Sequence, residues 1–259
     1  MHETDAEYHG QSLYNGGKNL SSHALIDFIK NPILHNCKMR GLVPQKDSDA
    51  YKAGRAAHCL ILEGKEAYNN RYAFGSPINE KTGKPYGQQT KAYQEWRKSQ
   101  DREVLTDAED ALCQFMASGV ERHTKAKELL MFGDAEVVMR ANYCGEPCQI
   151  KIDWYTHEAI IDLKTCRDLS RFEYDLRDYK YTNQFSFYQK ICEASGNGRM
   201  PVYCIAVEKI APYRTAVYEI EQDALDRAQI ENEDAIHRMR LANKTGIYLD
   251  GYEEIRTIK

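Results

Sequence analysis

No apolar run in this 259-residue chain approaches the ~20 residues that a membrane-spanning helix needs. The opening residues Met1-His2-Glu3-Thr4-Asp5 lack both the basic region and the apolar stretch of a secretory signal, so a cytoplasmic protein with no membrane association is expected. A Gly-x-x-x-x-Gly-Lys-Ser/Thr loop is missing as well, which excludes ATP hydrolysis by the chain alone. Excess charge of either sign is absent. With 35 basic against 39 acidic side chains the net charge is −4, so any nucleic-acid binding must come from a local basic surface. The eight cysteines lie mostly in apolar stretches of a chain without an export signal and are read as reduced thiols in packing roles. Cys144-x-x-x-Cys148 does not extend to four suitably placed ligands, and no cysteine follows Cys204, which argues against an iron-sulfur or zinc cluster.

What remains is polar but able to fill a core, with 42% hydrophobic and 29% charged residues. Ser21-Ser22 ahead of Ala24, Leu25, Phe28 and Ile29 predicts a capped helix that ends before Pro32. Residues 51–63 repeat the helical spacing with Ala53, Ala56, Ala57, Leu60 and Ile61, and Gly64 is expected to end them. The turn residues of 74–87 predict a long loop or insertion, and 106–130 reads as one helix. Three strands follow, 135–143, 148–155 and 159–165, joined by loops short enough for an antiparallel meander. Then come a helix over 181–194, strands over 202–208 and 213–220, and a closing helix over 223–241. The pattern is α/β, read as one domain over 1–259. Residues 1–132 form a mainly helical part, 133–220 the core, and 221–259 the last helix and tail.

Chemistry concentrates in the second and third strands of the meander. Period-2 alternation sets Ile150, Ile152 and Trp154 on one face and Gln149, Lys151 and Asp153 on the other. In Ile160-Ile161-Asp162-Leu163-Lys164-Thr165, Asp162 and Lys164 share a face between neighbours that belong in a sheet centre. If these strands pair, Asp153 and Asp162 converge as two hard oxygen ligands suited to Mg²⁺ or Mn²⁺. Such an ion activates water and neutralises charge during phosphodiester hydrolysis, while Lys164 orients the attacking water or helps deprotonate it. An Asp-x-Lys triplet by itself is common and is more often a surface salt bridge or part of a charged edge strand.

Further segments join this pair. They are Tyr8-His9, Leu20-Ser21-Ser22, Gly54-x-Ala-x-His58-x-Leu-x-Leu-Glu63, Thr82-Gly-Lys84, Leu105-Thr106-x-x-Glu109, Ala135-Glu136 and Tyr181-x-x-Gln184-x-x-x-Tyr188. With Cys148-x-Ile-x-x-Asp153-Trp154 and Ile161-Asp162-Leu163-Lys164-Thr165, the set resembles the PD-(D/E)XK nuclease superfamily. Within it, the set is similar to RecB-type nuclease domains and the phage or prophage RecE (exonuclease VIII) family, from about Tyr8 to Glu208. The resemblance implies a restriction-endonuclease-like core, a central mixed sheet flanked by helices. It implies that Asp153, Asp162 and the Leu163 carbonyl hold metal, with His58 and Glu136 assisting. Lys164 would be the catalytic lysine, and Gln184 and Tyr188 would border the DNA path. Ile152 stands where the family usually has proline. RecE likeness further implies Mg²⁺-dependent 5′-to-3′ digestion of double-stranded DNA ends, a RecT-like single-strand annealing partner, and a homo-oligomer, namely a ring-like tetramer.

Other readings stay open on the residues alone. His58 on an alanine-rich helix also suits a satisfied core histidine, and Gln184 and Tyr188 suit plain helix packing. A single-strand nuclease, an endonuclease or a catalytically degenerate DNA-end-binding protein would carry the same motifs. Residues 81–102 hold six basic side chains, among them Lys84, Lys91 and Arg97, against two acidic ones, interleaved with Tyr86, Tyr93 and Trp96. This composition fits a DNA groove and equally a solvated helix face. Residues 223–234 are acidic and should face away from nucleic acid.

Overall fold

Five strands order the chain: β5 (Asp134–Tyr143), β6 (Glu146–Tyr155), β7 (Ile160–Cys166), β8 (Val202–Glu208) and β9 (Thr215–Glu219), adjacent in that sequence. The first three form the expected antiparallel meander, β7 and β8 run parallel, and β9 returns antiparallel, which makes the sheet mixed. The computed structural model describes residues 3–43 and 49–257. Met1 and His2, part of the signal-sequence reading, lie outside the described residues, as do 44–48 and the last two residues of the tail.

Ahead of the sheet come helices α1 (Asp5–Gly10), α2 (Ser22–Lys30), α3 (Pro32–Met39), α4 (Asp49–His58), α5 (Gly64–Arg71), α6 (Lys91–Ser99), α7 (Asp107–Arg122) and α8 (Thr124–Leu129). Strands β1 (Tyr72–Phe74) and β4 (Glu103–Leu105) pair parallel, while β2 (Ile78–Asn79) and β3 (Lys84–Pro85) form a small hairpin between them. The crossover from β7 to β8 carries α9 (Phe172–Asp178) and α10 (Tyr181–Cys192), and α11 (Gln222–Thr245) closes the fold.

Local chemistry explains most boundaries. Ser21 caps α2 by accepting the Ala24 N–H, and Asn31 caps α3 with Pro32 at its first position. Thr106 and Glu109 form a capping box at the start of α7. Four expectations need correction. Gly64 ends a π-type turn over Cys59–Glu63 that prolongs α4, but α5 starts there. The helix over 106–130 breaks at His123, whose extended backbone ends α7 and whose imidazole caps α8 through the Ala126 N–H. The loop over 74–87 contains β2 and β3. Glu146 and Pro147, read as loop, belong to β6, which leaves the turn to Cys144 and Gly145.

The sheet separates two cores. One joins Ile160, Cys204 and Ala206 to Leu25 and Phe28 of α2, Phe185 and Phe187 of α10, and Ile236 and Met239 of α11. The other joins Ile161, Leu163, Ile205 and Val207 to Ala56, Ala57 and Leu60 near the end of α4 and to Cys113 and Met116 of α7. The alternation along β7 thus serves both layers, as a central strand must.

Candidate active site

The site begins where β6 and β7 part. Their ladder pairs Tyr155 with Ile160 and Trp154 with Ile161, and the next opposed positions would be Asp153 and Asp162. There it stops. Further along, β6 is bridged by Leu20, whose N–H donates to the Pro147 carbonyl (2.8 Å) and whose carbonyl accepts the Gln149 N–H (2.9 Å). The N-terminal segment therefore fills the place β7 has left, and the gap between the two holds the charged residues.

On the other side of β6, Glu136 would face Asp153 but drops out of the β5 ladder with left-handed backbone (φ 57°). Such backbone is uncommon outside glycine and collects at functional sites. Register thus sets Glu136, Asp153 and Asp162 in a row across three strands. The proposed apolar row of β6 is divided near the same point, with Ile150 and Ile152 in the first core and Trp154 against the second.

Asp162 is 1% exposed, and its Oδ2 lies 2.5 Å from Lys164 Nζ. Its Oδ1 has no hydrogen-bond partner among the described residues. Asp153 Oδ2 accepts the Leu163 N–H at 2.8 Å and stands 3.6 Å from His58 Nδ1. Within an extended strand the N–H and C=O of one residue face the same side, so the Leu163 carbonyl opens on the same gap. His58 arrives on α4, whose Gly54 lies against β7: a Cβ there would sit 3.8 Å from Thr165 Oγ1. Lys164 Nζ is 4.9 Å from the centre of the Tyr181 ring and 5.8 Å from that of Phe185.

Burial and the nearby Asp153 charge push the carboxyls of Asp162 and Glu136 above their ordinary range, and burial does the same to Asp153. Burial, aided by the Lys164 charge, lowers the His58 imidazole to about 4 and leaves it neutral, the form that ligates metals. Against the pull of burial, Asp162 and Asp153 keep Lys164 a firm ammonium.

A buried carboxylate oxygen without a partner, beside other carboxylates and a neutral imidazole, is a donor set that suits a hard divalent cation. As placed, no group of three His, Cys, Asp or Glu side chains among the described residues is arranged to hold an ion. Lys164 contacts one oxygen of Asp162, and Lys151 pairs with Glu136 and with Asp5 of α1. The two ammonium groups offset part of the negative charge but leave Asp162 Oδ1 without a partner.

The structure thus brings His58, Asp153, Asp162, Leu163 and Lys164 together, and places Glu136 beside them in the grip of Lys151. Gln184 and Tyr188 are 5% and 6% exposed and bonded to each other, Gln184 Nε2 donating to the Tyr188 hydroxyl at 3.0 Å. The phenol of Tyr188 feels the charges of Asp162 and Asp153, so the pair backs the pocket. Lys84, Lys91 and Arg97 are exposed on β3 and α6, with Lys91 facing Glu95. Lys151 and Tyr181 were missed as neighbours of the site. Lys151 shares the Asp153 face by simple alternation, a signal present in the sequence, whereas Tyr181 arrives only through the packing of α10.

A family model described as "PDDEXK-like domain of unknown function (DUF3799)" matches residues 21–247. The chain belongs to this PDDEXK-like family, and through it to the PD-(D/E)XK nuclease superfamily. A crystal structure from Eubacterium rectale, of a protein provisionally called an exonuclease, superposes with a TM-score of 0.69 at 16% identity, covering 100% of this chain and 96% of that one. A phage-related exonuclease from Haemophilus somnus gives a TM-score of 0.39 at 13% identity, covering 90% of this chain and 100% of that one. No curated protein matches. The first likeness confirms the restriction-endonuclease-like fold, a mixed sheet flanked by helices. Among the described residues, no helix is long and apolar enough to cross a membrane.

Proposed function

We propose that the protein is a Mg²⁺-dependent DNA exonuclease that degrades double-stranded ends 5′-to-3′ and leaves 3′ single strands. The observation that carries the metal-dependent hydrolytic reading is the buried, unpartnered Oδ1 of Asp162 beside Asp153 and Lys164. Asp153, Asp162 and the Leu163 carbonyl would hold the ion, with His58 and Glu136 completing the set. When bound, the ion supplies water activation and neutralises charge building on the phosphate. Lys164, held protonated by two carboxylates, orients the water and donates to phosphate oxygen; this favours the orienting role over that of a base. Leu163 N–H fixes the Asp153 carboxylate, and the cation–π contact with Tyr181 fixes the lysine tip. The polarity, the duplex-end substrate, a RecT-like annealing partner and a ring-like tetramer are what the resemblance to RecE-type sequences implies.

The test supplies Mg²⁺ and linear duplexes labelled at either the 5′ or the 3′ end, beside single-stranded and closed circular DNA. Early release of the 5′ label from the linear duplex alone is the expected result. Early 3′ release, or cutting of the circle, would replace the reading with a different nuclease. Intact DNA in every tube would leave only end binding. Sedimentation of the same preparation should give four times the chain mass, and a monomer would remove the ring.

A further inference from the structure

Beyond the carboxylate pocket, one rim of the sheet holds positive charge without partners. The parallel strands β7 and β8 end together, Cys166 in register with Glu208, and open α/β sheets bind ligands beyond the carboxyl ends of such strands. Arg167, Asp168, Glu208, Lys209 and Arg214 stand at these ends, with Arg171 near Asp168 and Asp175 near Cys166. Arg214 takes both acids, reaching Glu208 Oε1 at 2.6 Å and Asp168 Oδ1 at 3.6 Å. Glu208 also accepts the Leu169 N–H at 3.0 Å. Lys209 and Arg167 take no part in this arrangement. Among the described residues neither the Lys209 ammonium nor the Arg167 guanidinium has an ion pair or hydrogen bond.

Arg167 is exposed, which by itself is unremarkable, but Lys209 is half-buried. Its backbone N–H is tied to the Cys166 carbonyl at 2.8 Å, two residues past Lys164, so the position is set by the ladder. Burial lowers the pKa of its ammonium, and its charge is near enough to His58 to help keep that imidazole neutral. A cation held partly out of water without a counter-ion is destabilising unless a ligand brings the negative charge.

We propose that Lys209, assisted by Arg167, seats a backbone phosphate of the DNA strand next to the phosphate under attack. This rests on the nuclease reading and assigns one contact within it. A lysine serves here as a point charge, while the neighbouring arginine can fork onto two phosphate oxygens.

The test measures kcat and KM on a linear duplex with Mg²⁺ between about 50 and 200 mM salt, where each neutralised phosphate contributes about 0.9 to the logarithmic slope. Lys209→Gln should raise KM about tenfold, a loss typical of one charge-assisted hydrogen bond. It should also make the salt dependence of kcat/KM shallower by about that one-phosphate increment. Lys209→Arg should restore both. A duplex with one uncharged methylphosphonate beside the scissile phosphate should be a poorer substrate for the wild type and no poorer for Lys209→Gln. Wild-type KM and salt slope in Lys209→Gln would overturn the inference while leaving the nuclease reading intact. So would a KM change that Lys209→Arg does not rescue and that accompanies a fall in Tm. A wild type that degrades no DNA would defeat the nuclease reading and, with it, the phosphate seat.

Discussion

A carboxylate oxygen shut away from water without a partner is costly to keep in a folded chain, and the cost is recovered only when positive charge arrives. Asp162 Oδ1 is such an atom, so divalent ions should stabilise the protein in the absence of DNA. In a thermal melt, Mg²⁺ or Mn²⁺ at a hundred times its Kd should raise stability by about 2.7 kcal/mol. Asp162→Asn should remove that response, and an equal response in the variant would place the ion elsewhere. Lys164→Ala deletes the group that orients water and leaves the carboxylates in place. Turnover should fall at least about a hundredfold while DNA binding persists. Binding lost together with turnover would mean that Lys164 holds the strand. These residues were legible because alternation fixes faces: Asp153 opposite Asp162, and Lys164 two residues on. The pairing of Lys151 with Glu136 was not legible, because it depends on a left-handed residue in β5 and on an N-terminal helix that brings Asp5 across the sheet.

Among the elements, α4 matters most to the site because it carries His58, and one ion pair couples it to α7. Lys52 Nζ lies 2.6 Å from Glu109 Oε1, while the other oxygen of Glu109 accepts the Thr106 N–H in the capping box. Although burial opposes it, the Lys52 contact and the cap hold the Glu109 carboxyl below its usual 4.5. A depressed carboxyl contributes stability that is present above its unfolded pKa and lost as pH falls through the folded one. Glu109→Gln should therefore melt lower than wild type at pH 7, by about 1 kcal/mol for a partly exposed pair. The difference should fade as pH drops below about 4.5, the ordinary carboxylate value, toward the depressed pKa of the folded carboxyl. A gap that persists in acid would show that the pair contributes little. In sequence, Leu105-Thr106-x-x-Glu109 read as part of a family motif, and the structure gives it a local reason. Strong periodicity made β6, β7, β8 and α10 readable. The break at His123, the turn before α5 and the start of α9 were hidden, since caps and short connections depend on neighbours that periodicity does not report.

At the scale of the whole molecule, the antiparallel meander, the parallel pair and the two cores follow from a β7 that is apolar on both faces, and that much was visible in Ile160, Ile161 and Leu163. The N-terminal strap was not, because residues 8–20 carry little apolar pattern and are held by Leu20 and by Gln149, whose side chain donates to the Tyr8 carbonyl at 3.0 Å. The net charge of −4 gives no hint of a DNA path, so any DNA binding must be local. If β3 and α6 line that path, neutralising Lys84, Lys91 and Arg97 together to glutamine should weaken DNA binding and make its salt dependence shallower, by up to about 0.9 per lost phosphate contact. An unchanged slope would assign those side chains to solvent.

The metal response, the role of Lys164 and the hydrolytic reading all depend on the gap between β6 and β7 being a cation site. Anomalous diffraction from crystals soaked in Mn²⁺ addresses it without reference to activity. One strong peak should appear, bounded by the carboxylates of Asp153 and Asp162 and the Leu163 carbonyl, and absent in Asp162→Asn. Ordered crystals at saturating Mn²⁺ with no peak in that gap, or with the ion bound at other residues, would contradict it.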